Sequence, residues 1–146
     1  MTKRAYIDTS CVLKLLIAER DSGPVARVVE TEGELVVSSL AELEVRSHLM
    51  ALRRGGSLRF VDYRAAVRKL EELVQMDPFH AVLLGGDVFD MVIGHLKKRG
   101  AVHCRSLDRL HIAAMQSLGL DRLITNDKQQ AKAAKSVGIV VINPAS

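Results

Sequence analysis

"DRLITNDKQQAKAAKSVGIVVIN", residues 121–143, decides the fold class of this chain. The apolar pair Leu123 and Ile124 predicts a short strand, and residues 127–138 predict a helix that stops at Gly138. The run 139–143 then predicts a second strand. A strand, a helix and another strand in close succession are typical of parallel strands joined by a crossover helix.

The same order recurs from the start of the chain. Strands are predicted at Ala5–Ile7 and Leu35–Val37, each followed by a polar end and an amphipathic segment. Residues 40–54 and 59–75 predict a helical hairpin, since "RGGS" at 54–57 interrupts them. Pro78 prevents a helix through 76–84, which suits either a third strand or an extended linker. Further helices are predicted over 87–98 and after a Ser106 N-cap.

These elements predict an α/β fold with three layers, α/β/α, around a central, mostly parallel sheet of four to five strands. Its 146 residues suit one domain, 1–146, and 48% hydrophobic and 26% charged residues are ordinary for a globular protein. No apolar stretch approaches the roughly 20 residues of a membrane span, and the basic start lacks an apolar region behind it. We therefore expect a cytoplasmic protein that does not enter membranes.

Two cysteines, Cys11 and Cys104, cannot build a disulfide framework or a four-thiolate zinc site, and we expect both in the core. The formal charge of +4 favours polyanionic partners. With only five aromatic residues in the chain, a base-stacking platform is not expected, so nucleic acid would be bound through its phosphates.

Carboxylates follow several of the predicted strands. Asp8 and Asp127 end two strands and should meet at one edge of a parallel sheet, where open α/β folds bind ligands. Glu42, Glu44 and Asp108 lie near helix starts that could reach the same edge. Each acid also suits helix capping or the helix dipole. A cluster of hard oxygen ligands without His or Cys would instead favour Mg²⁺ or Mn²⁺.

Four segments resemble the PIN-domain ribonucleases, and specifically the VapC-type toxins of bacterial toxin–antitoxin pairs. They are "YIDTSCVLKLL" (6–16), "VVSSLAELEVRSHL" (36–49), "SLDRLHIAAMQSLGLDRLITND" (106–127) and "AKSVGIVVINP" (134–144). "LDRLHIAA" together with "LITND" is the most specific part. The resemblance implies a PIN-like fold and an endoribonuclease that depends on Mg²⁺ or Mn²⁺ and hydrolyses phosphodiesters with metal-activated water.

The resemblance also implies the site residues. Asp8 matches the first acid of the family, Asp108 the third and Asp127 the acid of its Thr-x-Asp turn. Glu44 fits the second acid by its spacing from Ser38, with Glu42 as the alternative about 200° around the helix. Ser10, Thr125 and Asn126 stand beside these acids, either supporting them or serving only as turn residues.

An acidic site needs cations around it to attract RNA. The candidates are Lys14, Arg46, Arg105, Arg109 and Lys128. His111, near an apolar stripe, is expected to be a hydrogen-bonded core residue rather than a general base.

The resemblance further implies a homodimer and a VapB-like antitoxin, whose apolar helix would lie in a groove of the early helices. A haloacid-dehalogenase-like phosphatase is disfavoured because Ser10 stands where a second acid is needed. A response-regulator domain would need an acid pair and a late lysine, which the chain lacks. A catalytically inactive PIN-fold module that binds RNA or protein remains the alternative.

Overall fold

A computed structural model describes residues 3–145, and five strands form its sheet. The strands are β1 (Arg4–Ile7), β2 (Glu34–Ser38), β3 (Phe79–Val82), β4 (Arg122–Ile124) and β5 (Val140–Ile142). Every pairing is parallel, in the order β3-β2-β1-β4-β5. The predicted parallel sheet of four to five strands is thus confirmed. The segment around Pro78 contains a strand rather than only a linker.

Seven helices connect and flank the strands within the described part of the chain. They are α1 (Thr9–Leu16), α2 (Ser22–Thr31), α3 (Ser39–Arg54), α4 (Phe60–Leu73), α5 (Asp87–Leu96), α6 (Ser106–Ser117) and α7 (Lys128–Ser136). The predicted hairpin of two helices is therefore α3 and α4.

The helices form two layers, one on each face of the sheet. Alternate strand residues such as Ile7 and Val37 pack against α1 to α4, whereas Tyr6 and Val36 face α6 and α7. Helix α5 packs beside α6 through Val88 and Val92. Because side chains alternate along a strand, both faces of the sheet are buried, which is the α/β/α arrangement predicted from the sequence.

Two helix boundaries differ from the expected ones. Ser106 is the first residue of α6 rather than its cap, because the extended residue before it is Arg105. Arg105 makes no side-chain capping bond, so its side chain is free for other contacts. Helix α5 ends at Leu96, two residues earlier than predicted.

The cysteines lie largely where expected. Cys11 is fully buried in the core, and its burial raises the thiol pKa to about 12, so it stays a neutral thiol. Cys104 is only partly buried and packs against the second core cluster. Among residues 3–145, no helix combines the length and the apolar character needed to cross a bilayer.

Candidate active site at the carboxyl edge of the sheet

The candidate site lies where the strand order reverses. The chain runs from β1 outward to β2 and β3, then returns to place β4 on the other side of β1. Asp8 directly follows β1, and Asp127 lies three residues after the end of β4. Since Ile7 pairs with Ile124, both carboxylates are carried to the same edge, at the position where open α/β sheets bind ligands.

Asp8 is a buried carboxylate that is surrounded by hydroxyl donors. Its Oδ1 accepts from the backbone N–H of Ser10 at 3.4 Å and so caps α1. Its Oδ2 accepts from the hydroxyl of Ser10 at 3.1 Å and from that of Thr125. The residue is 5% exposed, and burial raises the pKa of its carboxyl group despite these bonds. It forms no ion pair with any described residue, so a bound cation would compensate its charge.

Glu44 is held by two donors from other elements. The Thr9 hydroxyl donates to its Oε1 at 3.0 Å, and His111 Nε2 donates to the same oxygen. Burial works to raise the Glu44 pKa, but the bond to His111 and the bond from Thr9 lower it overall. Glu44 is therefore held as an ionised carboxylate that faces β1 and α6.

A chain of buried polar groups stands behind Glu44. His111 is 2% exposed, and its Nδ1 lies 2.5 Å from the hydroxyl of Tyr6. That hydroxyl lies 2.7 Å from Ser38 Oγ, which also accepts from the Ala41 N–H at 3.1 Å and caps α3. The bonds are all satisfied when Ser38 donates to Tyr6, Tyr6 donates to Nδ1, and Nε2 carries the proton toward Glu44.

This series of hydrogen bonds, from Ser38 through Tyr6 and His111, favours Glu44 over Glu42 as the acid of the site. Glu42 is half-buried and forms no hydrogen bond or ion pair with another side chain in the described range. The expected hydrogen-bonded core role of His111 is confirmed by its burial and both of its ring nitrogens. Sequence reasoning missed the connection from Tyr6 to Glu44, although an inward-facing tyrosine in a central strand requires a partner for its hydroxyl.

Asp108 and Asp127 share one cation. Arg105 Nε lies 3.2 Å from Asp108 Oδ2, and Arg105 Nη2 lies 3.6 Å from Asp127 Oδ2. Asp127 Oδ1 also accepts from the N–H groups of Gln129 and Gln130 at 2.9 and 3.0 Å, which caps α7. Asp8 and Asp127 thus act as helix caps and still present an oxygen to the edge, so the capping and cluster interpretations are compatible.

Of the three residues predicted beside the acids, two contact an acid and one does not. Ser10 and Thr125 both donate to Asp8, as described. Asn126 does not face the acids, because its amide oxygen accepts from the Ala145 N–H at 3.2 Å. Its buried Nδ2 has no partner among the described residues.

The predicted RNA-binding cations are mostly engaged within the protein. Lys14 pairs with Glu19 at 3.1 Å, and Arg46 lies 3.9 Å from Glu71. Arg109 was predicted to be one of the cations that attract RNA, and its burial contradicts that role. It is 4% exposed and donates to the backbone carbonyl of Val102, because its side chain turns toward the segment before α6. Lys128 is exposed and forms no ion pair with a described residue.

The donor types at the edge fit a hard divalent cation. Asp8 and Asp127 follow strands that end at this edge, Asp8 is buried without a counter-ion, and oxygen-only ligands suit Mg²⁺ or Mn²⁺. Their side chains are turned toward protein donors, and within residues 3–145 no three His, Cys, Asp or Glu side chains are already grouped to hold a metal. Arg105 occupies the space between Asp108 and Asp127. Binding would therefore require the acids to turn and Arg105 to leave.

This chain is similar to several known proteins in sequence and in fold. The family model of the PIN domain matches residues 5–136. Ribonuclease VapC46 of Mycobacterium tuberculosis is 34% identical over 142 residues, which cover 95% of this chain and 96% of that protein. The crystal structure of VapC20 of the same species, a toxin that cleaves the sarcin-ricin loop, superposes with a TM-score of 0.68 at 17% identity, covering 93% of this chain and 96% of that one. VapBC2 from Rickettsia felis, bound to promoter DNA, gives 0.65 at 11% identity, with coverage of 96% and 98%.

Proposed function

This chain belongs to the PIN domain family, and we propose that it is a metal-dependent endoribonuclease and the toxin component of a toxin–antitoxin pair. In this proposal residues 1–146 form one PIN domain. The observation that carries it is the meeting of Asp8 and Asp127 at the switch point, with Glu44 and Asp108 directed to the same edge. The identity to Ribonuclease VapC46 supports RNA as the substrate.

Asp8, Glu44, Asp108 and Asp127 would hold Mg²⁺ or Mn²⁺. Such an ion lowers the pKa of bound water and polarises a phosphoryl oxygen, which is the chemistry that phosphodiester hydrolysis requires. Ser10 and Thr125 hold one oxygen of Asp8, and Thr9 and His111 hold one oxygen of Glu44. These donors fix the position of the two carboxylates, and metal binding would still require the acids to turn and Arg105 to leave.

Arg105 has a different role in this proposal. Its side chain is 75% exposed, so it can swing away from Asp108 and Asp127. Once released, the guanidinium can donate two parallel hydrogen bonds to a phosphate of the RNA. Arg105 thus neutralises the acids in the free protein and contacts the substrate in the complex.

Cleavage of total RNA by the purified protein, with Mg²⁺ or Mn²⁺ and with mapping of the cut sites, tests the proposal. We expect one or a few dominant cuts, which Asp8→Asn abolishes and EDTA prevents. Asp121→Asn, which alters an exposed acid away from the site, is the matched control and should cleave normally. A folded parent protein that cleaves no RNA with either metal would favour the inactive interaction module instead.

An antitoxin partner is supported by an apolar groove between the early helices. The groove, of about 540 Å³, lies between α1 and the α3–α4 hairpin and contains Leu16, Ile17, Leu52, Leu58 and Ala66. An amphipathic helix of a VapB-like antitoxin fits such a groove. Leu58→Glu should weaken the toxin–antitoxin complex and leave RNA cleavage by the free protein unchanged.

A homodimer is supported by a second surface. Large apolar side chains of α5 and its neighbours are more than 40% exposed, namely Leu43, Phe89, Ile93, Leu96 and Leu107. Monomeric proteins rarely expose so many together, so a second copy of this chain would cover them. Light scattering should give a dimer for the parent protein and a monomer for Ile93→Glu. Cytoplasmic location stays a prediction.

A further inference from the structure

The positive charge of this chain is concentrated in residues 46–72, which form the α3–α4 hairpin without the acidic start of α3; the whole hairpin, 39–73, carries +2. Residues 46–72 contain seven Lys and Arg against three Asp and Glu, a formal charge of +4 that equals the net charge of the whole chain. The rest of the chain is therefore formally neutral. Whatever attraction the protein has for polyanions must come mainly from this hairpin.

Four arginines of the hairpin have no acidic partner. Arg53, Arg54, Arg64 and Arg68 are exposed, and none of them forms an ion pair with a residue between 3 and 145. We call these four arginines, with Phe60 and Tyr63, the arginine surface. The contrast with the rim of the acidic edge is direct, because Lys14 and Arg105 there are already paired.

Aromatic rings order part of the arginine surface. The Arg53 guanidinium lies 4.5 Å from the centroid of Phe60 and 5.5 Å from that of Tyr63. Arg64 lies 5.8 Å from Phe60, which remains 53% exposed. Stacking fixes guanidinium planes in place before a ligand arrives, and bases stack readily on both arginine planes and aromatic rings. The chain still lacks an extended aromatic platform, and Phe60 offers one place where a base could stack.

The arginine surface is extended along α3 by a groove. An open groove of about 700 Å³ follows α3 and is lined by Arg46, Ser47, Met50, Ala51, Arg54 and Tyr63. Arg46, Met50 and Arg54 are four residues apart and so share one face of the helix. The stripe begins two residues after Glu44 but about 200° around the helix from it, so RNA bound at Glu44 would have to pass around α3, and ten helical residues from Glu44 to Arg54 span about 15 Å along the axis. A few nucleotides of a single strand can cover that distance.

We propose that the arginine surface binds the single-stranded RNA that flanks the cleaved bond. The inference rests on the proposed ribonuclease function and adds where the substrate lies beyond the acids. The guanidinium groups would donate paired hydrogen bonds to phosphates, while Phe60 and the plane of Arg64 would support a base. An acidic polypeptide is the competing ligand. The exposed Phe60 ring beside two guanidinium groups favours RNA, because a base can stack there and an acidic side chain cannot.

Binding is measured without cleavage in the Asp8→Asn protein, using a labelled 16-nucleotide single-stranded RNA of mixed sequence at several salt concentrations. Arg54→Gln, Arg64→Gln and Arg68→Gln are combined in one variant. Arg20→Gln, Arg27→Gln and Arg99→Gln, all exposed arginines elsewhere, are combined in a matched control. We expect about tenfold weaker binding or more and a salt slope smaller by about two for the hairpin variant, since each lost phosphate contact removes about 0.7. The control should stay within about twofold of the parent on the same salt-dependence reasoning.

A second variant tests stacking. Phe60→Leu keeps the charge of the surface. It should weaken the binding of single-stranded RNA by roughly fivefold or more and have little effect on the binding of a duplex of the same sequence. In the protein with Asp8 intact, the hairpin variant should raise KM and leave kcat unchanged, because the acids are untouched.

The outcomes separate this inference from the proposed function. Equal RNA affinity of the hairpin variant and its control overturns the role of the arginine surface. So does a variant that loses binding to poly-L-glutamate and keeps binding to RNA, because the surface then serves an acidic protein. Failure of the intact protein to cleave RNA overturns the ribonuclease proposal alone, since the binding assay on Asp8→Asn still reports on the arginine surface.

Discussion

The acidic edge, which carries Asp8, Glu44, Asp108 and Asp127, differs from the arginine surface in how its charges are compensated. At the edge, Asp108 and Asp127 share Arg105, Glu44 accepts from His111 and Thr9, and Asp8 accepts from two hydroxyls. On the arginine surface, four guanidinium groups face solvent without a carboxylate partner. The acids of the candidate site are therefore held by protein contacts, whereas the arginines that would attract RNA have no carboxylate partner.

The acids and the arginines also differ in how far they are buried. Asp8 and Asp108 are each 5% exposed, so changes there should act on chemistry and on folding. The arginines of the hairpin are exposed, and exposed charges contribute little to stability. Substitutions at the edge should thus change the rate constant of cleavage, and substitutions on the arginine surface should change affinity for RNA.

The largest effect is expected from the choice between Glu44 and Glu42. Glu44→Gln should lower cleavage by about 100-fold or more, because a ligand matters more than the outer partners whose loss costs 10- to 100-fold. Glu42→Gln, the matched control on the same helix, should cleave within about twofold of the parent protein by the same reasoning. Single-turnover cleavage rates measure both variants. A greater loss for Glu42→Gln would reverse the assignment of the second acid.

Next in size is the removal of the histidine behind Glu44. His111→Gln should weaken Mn²⁺ affinity and cleavage by about 10- to 100-fold, since Glu44 loses the donor that aims it. Titration of Mn²⁺ by electron paramagnetic resonance measures the affinity directly. Tyr6→Phe, which removes only the hydroxyl behind His111, should cost less. Unchanged Mn²⁺ affinity in a folded His111→Gln protein would limit His111 to a structural role.

Arg105 should give a smaller change of the opposite sign. Arg105→Gln removes the cation that competes for Asp108 and Asp127, and Mn²⁺ binding should become tighter by about two- to fivefold, as expected for a solvent-exposed ion pair. RNA cleavage should still fall, because the phosphate contact is lost. Weaker Mn²⁺ binding in this variant would show that Arg105 supports the site instead of occupying it.

The smallest expected effect concerns stability without metal. Burial raises the pKa of Asp8, so its ionised form is unfavourable in the folded protein at neutral pH, and stability is gained as the pH falls toward the raised pKa. Asp8→Asn should therefore raise the metal-free Tm by a few degrees at pH 7 and remove part of this pH dependence. Thermal unfolding in EDTA from pH 5 to 8 measures it. A lower Tm at pH 7 would mean that the ionised carboxylate is stabilising.

Sequence patterns were sufficient for the features that depend on local rules. A polar residue at the end of an apolar strand identified Asp8 and Asp127, because parallel strands bring their carboxyl ends to one edge. The helical hairpin followed from a glycine break between two helix-forming runs. Strand β3 was ambiguous because, at the sheet margin, its exposed His80 and Ala81 give no clear apolar run.

The contacts of long side chains could not be predicted from such local rules. Arg109 follows Asp108 in sequence, yet its guanidinium turns to Val102 and is buried, whereas Arg105 reaches two acids from the end of a loop. The arginine surface was also missed, because it needs two helices packed side by side to bring Arg53 and Arg64 onto one phenylalanine. Sequence spacing on one helix does not reveal such a meeting.

The position of β1 between β2 and β4 has a consequence for synthesis of the chain. The ribosome makes Asp8 more than a hundred residues before Asp127, and β4 cannot pair with β1 until β4 has been made. A nascent or truncated copy that stops before β4 lacks one carboxylate and the Thr125 hydroxyl that holds another. An incomplete copy of this kind cannot assemble the site proposed above, so the last strands to be made would decide when the protein becomes active.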